Sequence, residues 1–143
     1  MCATKSKGKA ITGGDIELAQ ETLAQFPREV GKALTQLRSL ILAIHARTKN
    51  VGELSEVLRW GQLSYLTVKP QTGSMIRLGM SQSGKPAMFF HCGTSLIETF
   101  RAQYSHEFEF EGNRAVVLTS SVNSTKVALA HCIEQALTYK LYK

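Results

Sequence analysis

The sequence contains no apolar run longer than the five residues Leu40–Ile44, no Cys-x-x-Cys pair, and no internal block of one charge sign. A bilayer-spanning helix needs about 20 apolar residues, so such a helix is excluded. Cys2, Cys92 and Cys132 are an odd set without metal-type spacing, and no secretory-type apolar core follows Met1. The expected compartment is therefore a reducing cytoplasm, with the cysteines as ordinary thiols. Also missing are a Walker loop, a dinucleotide fingerprint, a His-Glu-x-x-His pair and a Gly-x-Ser-x-Gly elbow, so no cofactor is implied.

What is present is the composition of one soluble domain: 143 residues, 43% hydrophobic and 20% charged, with a formal charge of +6. A chain of this length can bury roughly 68% of its extended surface without disulfides or a structural metal. The positive charge lies at the ends. Without Lys5, Lys7, Lys9, Lys140 and Lys143, 12 basic residues face 11 acidic ones. A nearly neutral body gives no specific nucleic-acid surface, and Met1–Gly14 reads as a flexible, solubilising basic leader ahead of a single domain over residues 15–143.

Hydrophobic periodicity places the elements. Asp15–Gln25 predicts a short helix with Ile16, Ala19 and Leu23 on one side. Pro27 starts a second, through Arg47, whose Val30, Leu34, Leu37, Ile41 and Ile44 form an apolar stripe that Gly31 does not end. Glu53–Trp60 reads as a third short helix ending at Gly61. The period then changes to two: Leu63–Thr67, Met75–Met80 and Ala87–Cys92 predict an antiparallel meander, with Ser81–Gly84 as a turn. Ser95 and Glu98 form a capping box for a helix over Leu96–Tyr104, with Leu96, Ile97 and Phe100 inward. His106–Phe110 and Ala115–Thr119 flank a hairpin turn at Glu111–Arg114, and a last helix over Asn123–Leu141 carries Val127, Ala130, Ile133, Leu137 and Leu141 on one side. No strand reads as apolar on both faces. The expected fold is α+β, a two-layer structure with an antiparallel sheet of about five strands and amphipathic helices on one face.

Three groups of residues invite chemistry. His91-Cys92 and His131-Cys132 resemble ligand pairs, but adjacent strand side chains point to opposite faces and adjacent helix side chains diverge by about 100°. An enzyme using His91 or Cys92 is kept as an alternative. Glu107, Glu109 and Glu111 alternate with aromatics, so the carboxylates line one sheet face. Such a row is a solvated face paired with Arg77, Lys85 or Arg114; in the alternative it holds a hard cation together with side chains of an adjacent strand. Trp60, Gly61 and Tyr65 form the most distinctive segment, which either seals a helix-to-sheet corner or lines a cleft of Trp60, Tyr65, Arg77 and Arg101 that could bind an anion.

Leu37-Arg38 with Ile41, Glu56–Gly61 with Tyr65, Ile76–Gly79, Phe100-Arg101 and Glu111–Ala115 together resemble the YdhG-like family of small bacterial domains of unknown function. The resemblance covers about Phe26 to Thr119, with Leu63 where the commonest motif has proline. It implies an α/β two-layer fold. For some members it further implies a frataxin-like iron chaperone role, by analogy with an acidic surface that this chain carries only at Glu107, Glu109 and Glu111. The resulting reading is a non-enzymatic cytoplasmic domain that binds a small molecule or a protein. A homodimer is kept open, and a carrier of iron or another divalent metal is the alternative.

Overall fold

The computed structural model describes residues 13–59, 61–91 and 93–141. The leader expected over Met1–Gly14 therefore lies almost wholly outside the described residues, as do Trp60 and Cys92. Two helices, α1 (Gly13–Ala24) and α2 (Arg28–Arg47), open the fold. Strands β1 (Glu53–Arg59), β2 (Gln62–Val68), β3 (Ile76–Met80) and β4 (Pro86–Phe90) follow, then α3 (Leu96–Tyr104). The chain continues through β5 (Phe108–Glu111), β6 (Ala115–Leu118), a single 3-10 turn at Asn123–Thr125, and α4 (Lys126–Leu137). All six strands form one antiparallel sheet in the order β1-β2-β3-β4-β6-β5. The α+β class is as expected, with one strand more.

The extra strand is β1, where a helix was expected. Its leucines satisfy both periods: Leu54 and Leu58 are four apart, as on a helix, but also share a strand face with Glu56. Pairing decides. β1 runs in unbroken register with β2 from Glu53↔Val68 to Arg59↔Gln62, and Gly61, at φ 75°, occupies the left-handed region that a tight reversal favours.

The core lies between the helices and one sheet face. Val30, Leu34, Leu37, Ile41 and Ile44 of α2 are buried, and so are Leu96, Ile97 and Phe100 of α3. They meet Leu54, Leu63, Tyr65, Ile76, Leu78, Met88, Phe90, Val116 and Leu118 from the strands. On α4 the buried face is rotated from expectation, comprising Leu129, Cys132, Ile133, Ala136 and Leu137, while Val127 is 86% exposed and Leu141 lies beyond the helix. The capping box does not form: Ser95 occupies the cap of α3 without a side-chain bond, and its carbonyl accepts from the backbone N–H and hydroxyl of Thr99.

Strands β4 and β6 are also covered on the face away from the helices, contrary to the expectation that no strand is apolar on both sides. Ala87, Phe89, Ala115 and Val117 form a second, small cluster there. The guanidinium groups of Arg77 and Arg114 lie 5.9 and 5.8 Å from the Phe89 ring centroid, so the long basic side chains roof the cluster.

The loop between β2 and β3 fastens the end of α4. Backbone N–H groups of Ser74 and Lys140 donate to Ala136 and Thr72 carbonyls, each at 2.8 Å. Thr72 Oγ1 donates to the Leu137 carbonyl at 3.1 Å, and Thr67 Oγ1 accepts from the N–H groups of Thr72 and Gly73 at 3.0 Å. His45 at the end of α2 closes the same corner through Nε2, 2.8 Å from the Gly52 carbonyl.

Candidate functional site

The arrangement starts from one glycine. A Cβ on Gly31 would lie 2.9 Å from the Leu23 carbonyl, so glycine lets the first turn of α2 approach the end of α1 closely. The helix-propensity cost of about 1 kcal/mol at that position is offset by this approach. Beside the contact runs an open groove of about 690 Å3, with Gln20, Ala24 and Phe26 on one wall and Arg28, Lys32 and Arg38 on the other. Arg28 and Lys32, four residues apart, share one side of α2, and Arg38, six residues further on, borders the groove from about 120° around the helix. No acidic side chain among the described residues lines the groove. Among the described residues, neither Arg28 nor Lys32 has an ion-pair partner.

Arg38 is held differently. Its Nε donates to Glu56 Oε2 at 2.6 Å and its Nη2 to Oε1 at 3.1 Å, a two-pronged pair between α2 and β1. The Tyr65 hydroxyl donates to the same Oε2 at 2.5 Å. Glu56 has a 2% exposed side chain and Tyr65 is fully buried, whereas Arg38 remains 16% exposed at the groove. Burial, followed by the Glu56 charge, pushes the Tyr65 phenol well above its ordinary range. The hydrogen bond to Glu56 raises the Arg38 guanidinium further. The trio thus fixes one cation at the groove in orientation and charge.

The residues expected to line an anion cleft do not come together. Tyr65 faces the helices, Arg77 lies on the opposite face of the sheet, and Trp60 is outside the described residues. Arg101 extends from α3, where its Nη2 donates to the Gly112 carbonyl at 2.6 Å and its guanidinium lies 5.2 Å from the Phe110 ring centroid. Burial first, and Arg114 second, lower the Arg77 guanidinium below its ordinary value.

The acidic row is shorter than expected. His106 and Glu107 belong to the turn after α3, and only Glu109 and Glu111 stand on the strand. Glu109 pairs with Lys85 at 3.5 Å, and Glu111 accepts from the Gln82 N–H at 2.9 Å. Among the described residues no three His, Cys, Asp or Glu side chains are grouped to hold a metal ion.

His91 follows β4 and is exposed, its Nδ1 accepting from the Gly93 N–H at 2.9 Å; Cys92 lies outside the described residues. His131 contacts the Tyr104 hydroxyl through Nδ1 at 2.5 Å and Gln135 through Nε2 at 2.9 Å, while its neighbour Cys132 is fully buried. Burial pushes that thiol up to about 12. Ser81–Gly84 is a reversal, with the Ser81 N–H donating to the Lys85 carbonyl at 2.7 Å.

Sequence reasoning passed over Arg28 and Lys32, whose signal was the i, i+4 spacing of two cations flanking the α2 stripe. Arg38 and Glu56 entered only through the family resemblance. In comparisons with known proteins, no family model, no curated protein and no solved structure matches the chain.

Proposed function

We propose that this chain is a ligand-binding domain without chemistry of its own, and that its ligand is a small multivalent anion held between α1 and α2. The observation that carries this is the groove itself, lined by the exposed Arg28 and Lys32, which have no ion-pair partner among the described residues, and by the Glu56-paired Arg38. Its volume of about 690 Å3 falls within the range of small-molecule sites, roughly 300–1,000 Å3. A planar guanidinium held in place by a carboxylate loses little freedom on gripping a second anion. The two exposed cations supply attraction that salt screens.

Titration calorimetry at low ionic strength with pyrophosphate and with citrate tests the reading. Binding of either, weakened at least about tenfold in Arg28→Ala/Lys32→Ala, is expected; that loss equals ~1.4 kcal/mol. Both positions are exposed, so the variant should keep its fold. Absence of binding by the native chain, or equal binding by the variant, refutes it.

A YdhG-like identity belongs to the same proposal. It is supported by the meeting of Arg38, Glu56 and Tyr65, three residues on which the resemblance rests, in one buried cluster. A cytoplasmic location is likewise proposed, and the free, fully buried thiol of Cys132 is its support. No helix among the described residues is long and apolar enough to cross a membrane.

A further inference from the structure

Among the described strands β1 is the last on one side of the sheet, and none of them pairs with its outer edge. Its seven residues, Glu53–Arg59, pair with β2 without a bulge. Proteins that keep such an edge single guard it with lysine, proline, a bulge or an inward-pointing charge. This strand has no lysine, no proline and no bulge. Its inward charge, Glu56, is neutralised by Arg38 and so no longer repels a partner. Val57 and Leu58, on opposite faces of the edge, are 38% and 40% exposed.

We propose that a second copy of this chain pairs with the edge, antiparallel, about a two-fold axis at Glu56. Charge complementarity selects both the occupant and the register. With Glu56 opposite its own copy, Glu53 of each protomer stands across from Arg59 of the other, so two ion pairs form. Leu54 then meets the other protomer's Leu58, and Ser55 meets its Val57, giving the exposed apolar side chains neighbours on both faces. Moving the axis to Val57 sets Arg59 against Ser55 and loses both ion pairs. In this register the residues brought together share sheet faces, so the helices of both copies lie on the same side and the two sheets become one. The two Glu56 carboxylates meet at the axis already paired with their own Arg38 and Tyr65, so no unpaired charge is buried there.

Sedimentation equilibrium on the full chain, from about 1 μM to about 1 mM, reads the association. The native chain is expected to dimerise. Glu53→Lys and Arg59→Glu should each weaken the dimer at least about tenfold, because each places two like-charge pairs across the axis, and the double variant should recover the native constant. Neither side chain is buried, and melting curves on the same samples verify folding. A second measurement fixes the register: in a Cys2→Ser/Cys92→Ser background, a mixture of Ser55→Cys chains and Val57→Cys chains should form the mixed disulfide in preference to either symmetric one. Directly opposed strand residues have Cα separations of about 4.5–5.5 Å, within disulfide reach. A chain that stays monomeric at about 1 mM overturns the proposal. A dimer indifferent to both single substitutions, or one showing no preference for the mixed disulfide, overturns it as well.

Discussion

Glu56 and Tyr65 face each other directly across β1 and β2, and the tyrosine hydroxyl donates to the carboxylate at 2.5 Å. The contact joins two strands while Arg38 joins the same carboxylate to α2, so one side chain ties together three elements of an otherwise apolar interface. Removing Glu56 leaves the Tyr65 hydroxyl buried without a partner and strips Arg38 of its pair. Such orphaning costs more than an intact pair contributes.

Glu56→Leu is accordingly expected to destabilise the fold by about 3 kcal/mol, the lower end for a broken buried pair, because Arg38 can still reach water. Tyr65→Phe should cost about 1 kcal/mol, the size of one net hydrogen bond. Replacing all three together, Arg38→Met, Glu56→Leu and Tyr65→Phe, should come closer to native stability than Glu56→Leu alone, since no polar group is then stranded. Urea denaturation of the four chains checks the order; a triple variant less stable than Glu56→Leu would contradict it.

Alkaline pH should unfold the protein through the same core. Cys132, from an ordinary 9.0, is pushed up to about 12, and Tyr65 is also raised by burial. Both groups stay neutral in the native state while the unfolded chain releases their protons. The Cys132 contribution is thus complete below pH ~9 and is lost as pH rises from there towards about 12, and that of Tyr65 begins to fall only above its ordinary value of 10.0. Between about pH 9 and about pH 11, the unfolding free energy of Cys132→Ala should fall less steeply than that of the native chain. Parallel slopes would show that the thiol is ionised, or solvated, in the native state.

Gly73 tests how tightly α4 is docked. A Cβ there would lie 2.3 Å from the Ala136 carbonyl oxygen and 2.5 Å from that of Leu137, and both obstacles are backbone. Gly73→Ala should therefore cost about 3 kcal/mol, the upper part of the overpacking range. Hydrogen exchange should show protection lost first around Ser74 and Lys140, whose N–H groups bridge the loop and the helix end. Native protection at both amides would mean that the helix end yields without cost.

The α2 and α3 stripes were legible because each shows one clean helical period, and the β2–β4 meander because turn residues bound its short apolar strands. β1 was not, and the reason is Glu56: a carboxylate at a core-facing position breaks the alternation of Leu54 and Leu58, leaving their spacing of four to suggest a helix. Only the fold reveals that Arg38, 18 residues earlier, and Tyr65 make the position habitable. The inward face of α4 was misjudged by about one residue because small and apolar residues surround much of that helix, so periodicity sets no sharp boundary. The groove wall went unseen for another reason. Arg28 and Lys32 become a feature only once Gly31 has brought α1 alongside, and a contact between helices has no period in the sequence.

The insertion of β6 between β4 and β5 has a kinetic and entropic side. Turning from β1 into β2 closes a loop of two residues, Arg59 to Gln62, whereas joining Phe89 to Ala115 closes one of 25. At about 0.6 kcal/mol per doubling, the longer closure costs about 2 kcal/mol more. The strand that bears this penalty is the one whose four residues are all buried, with helices beneath and the Arg-roofed cluster above. Double-sided burial at the one non-sequential junction among the described strands offsets this long-range closure, while the hairpins on either side of it close over short stretches of sequence.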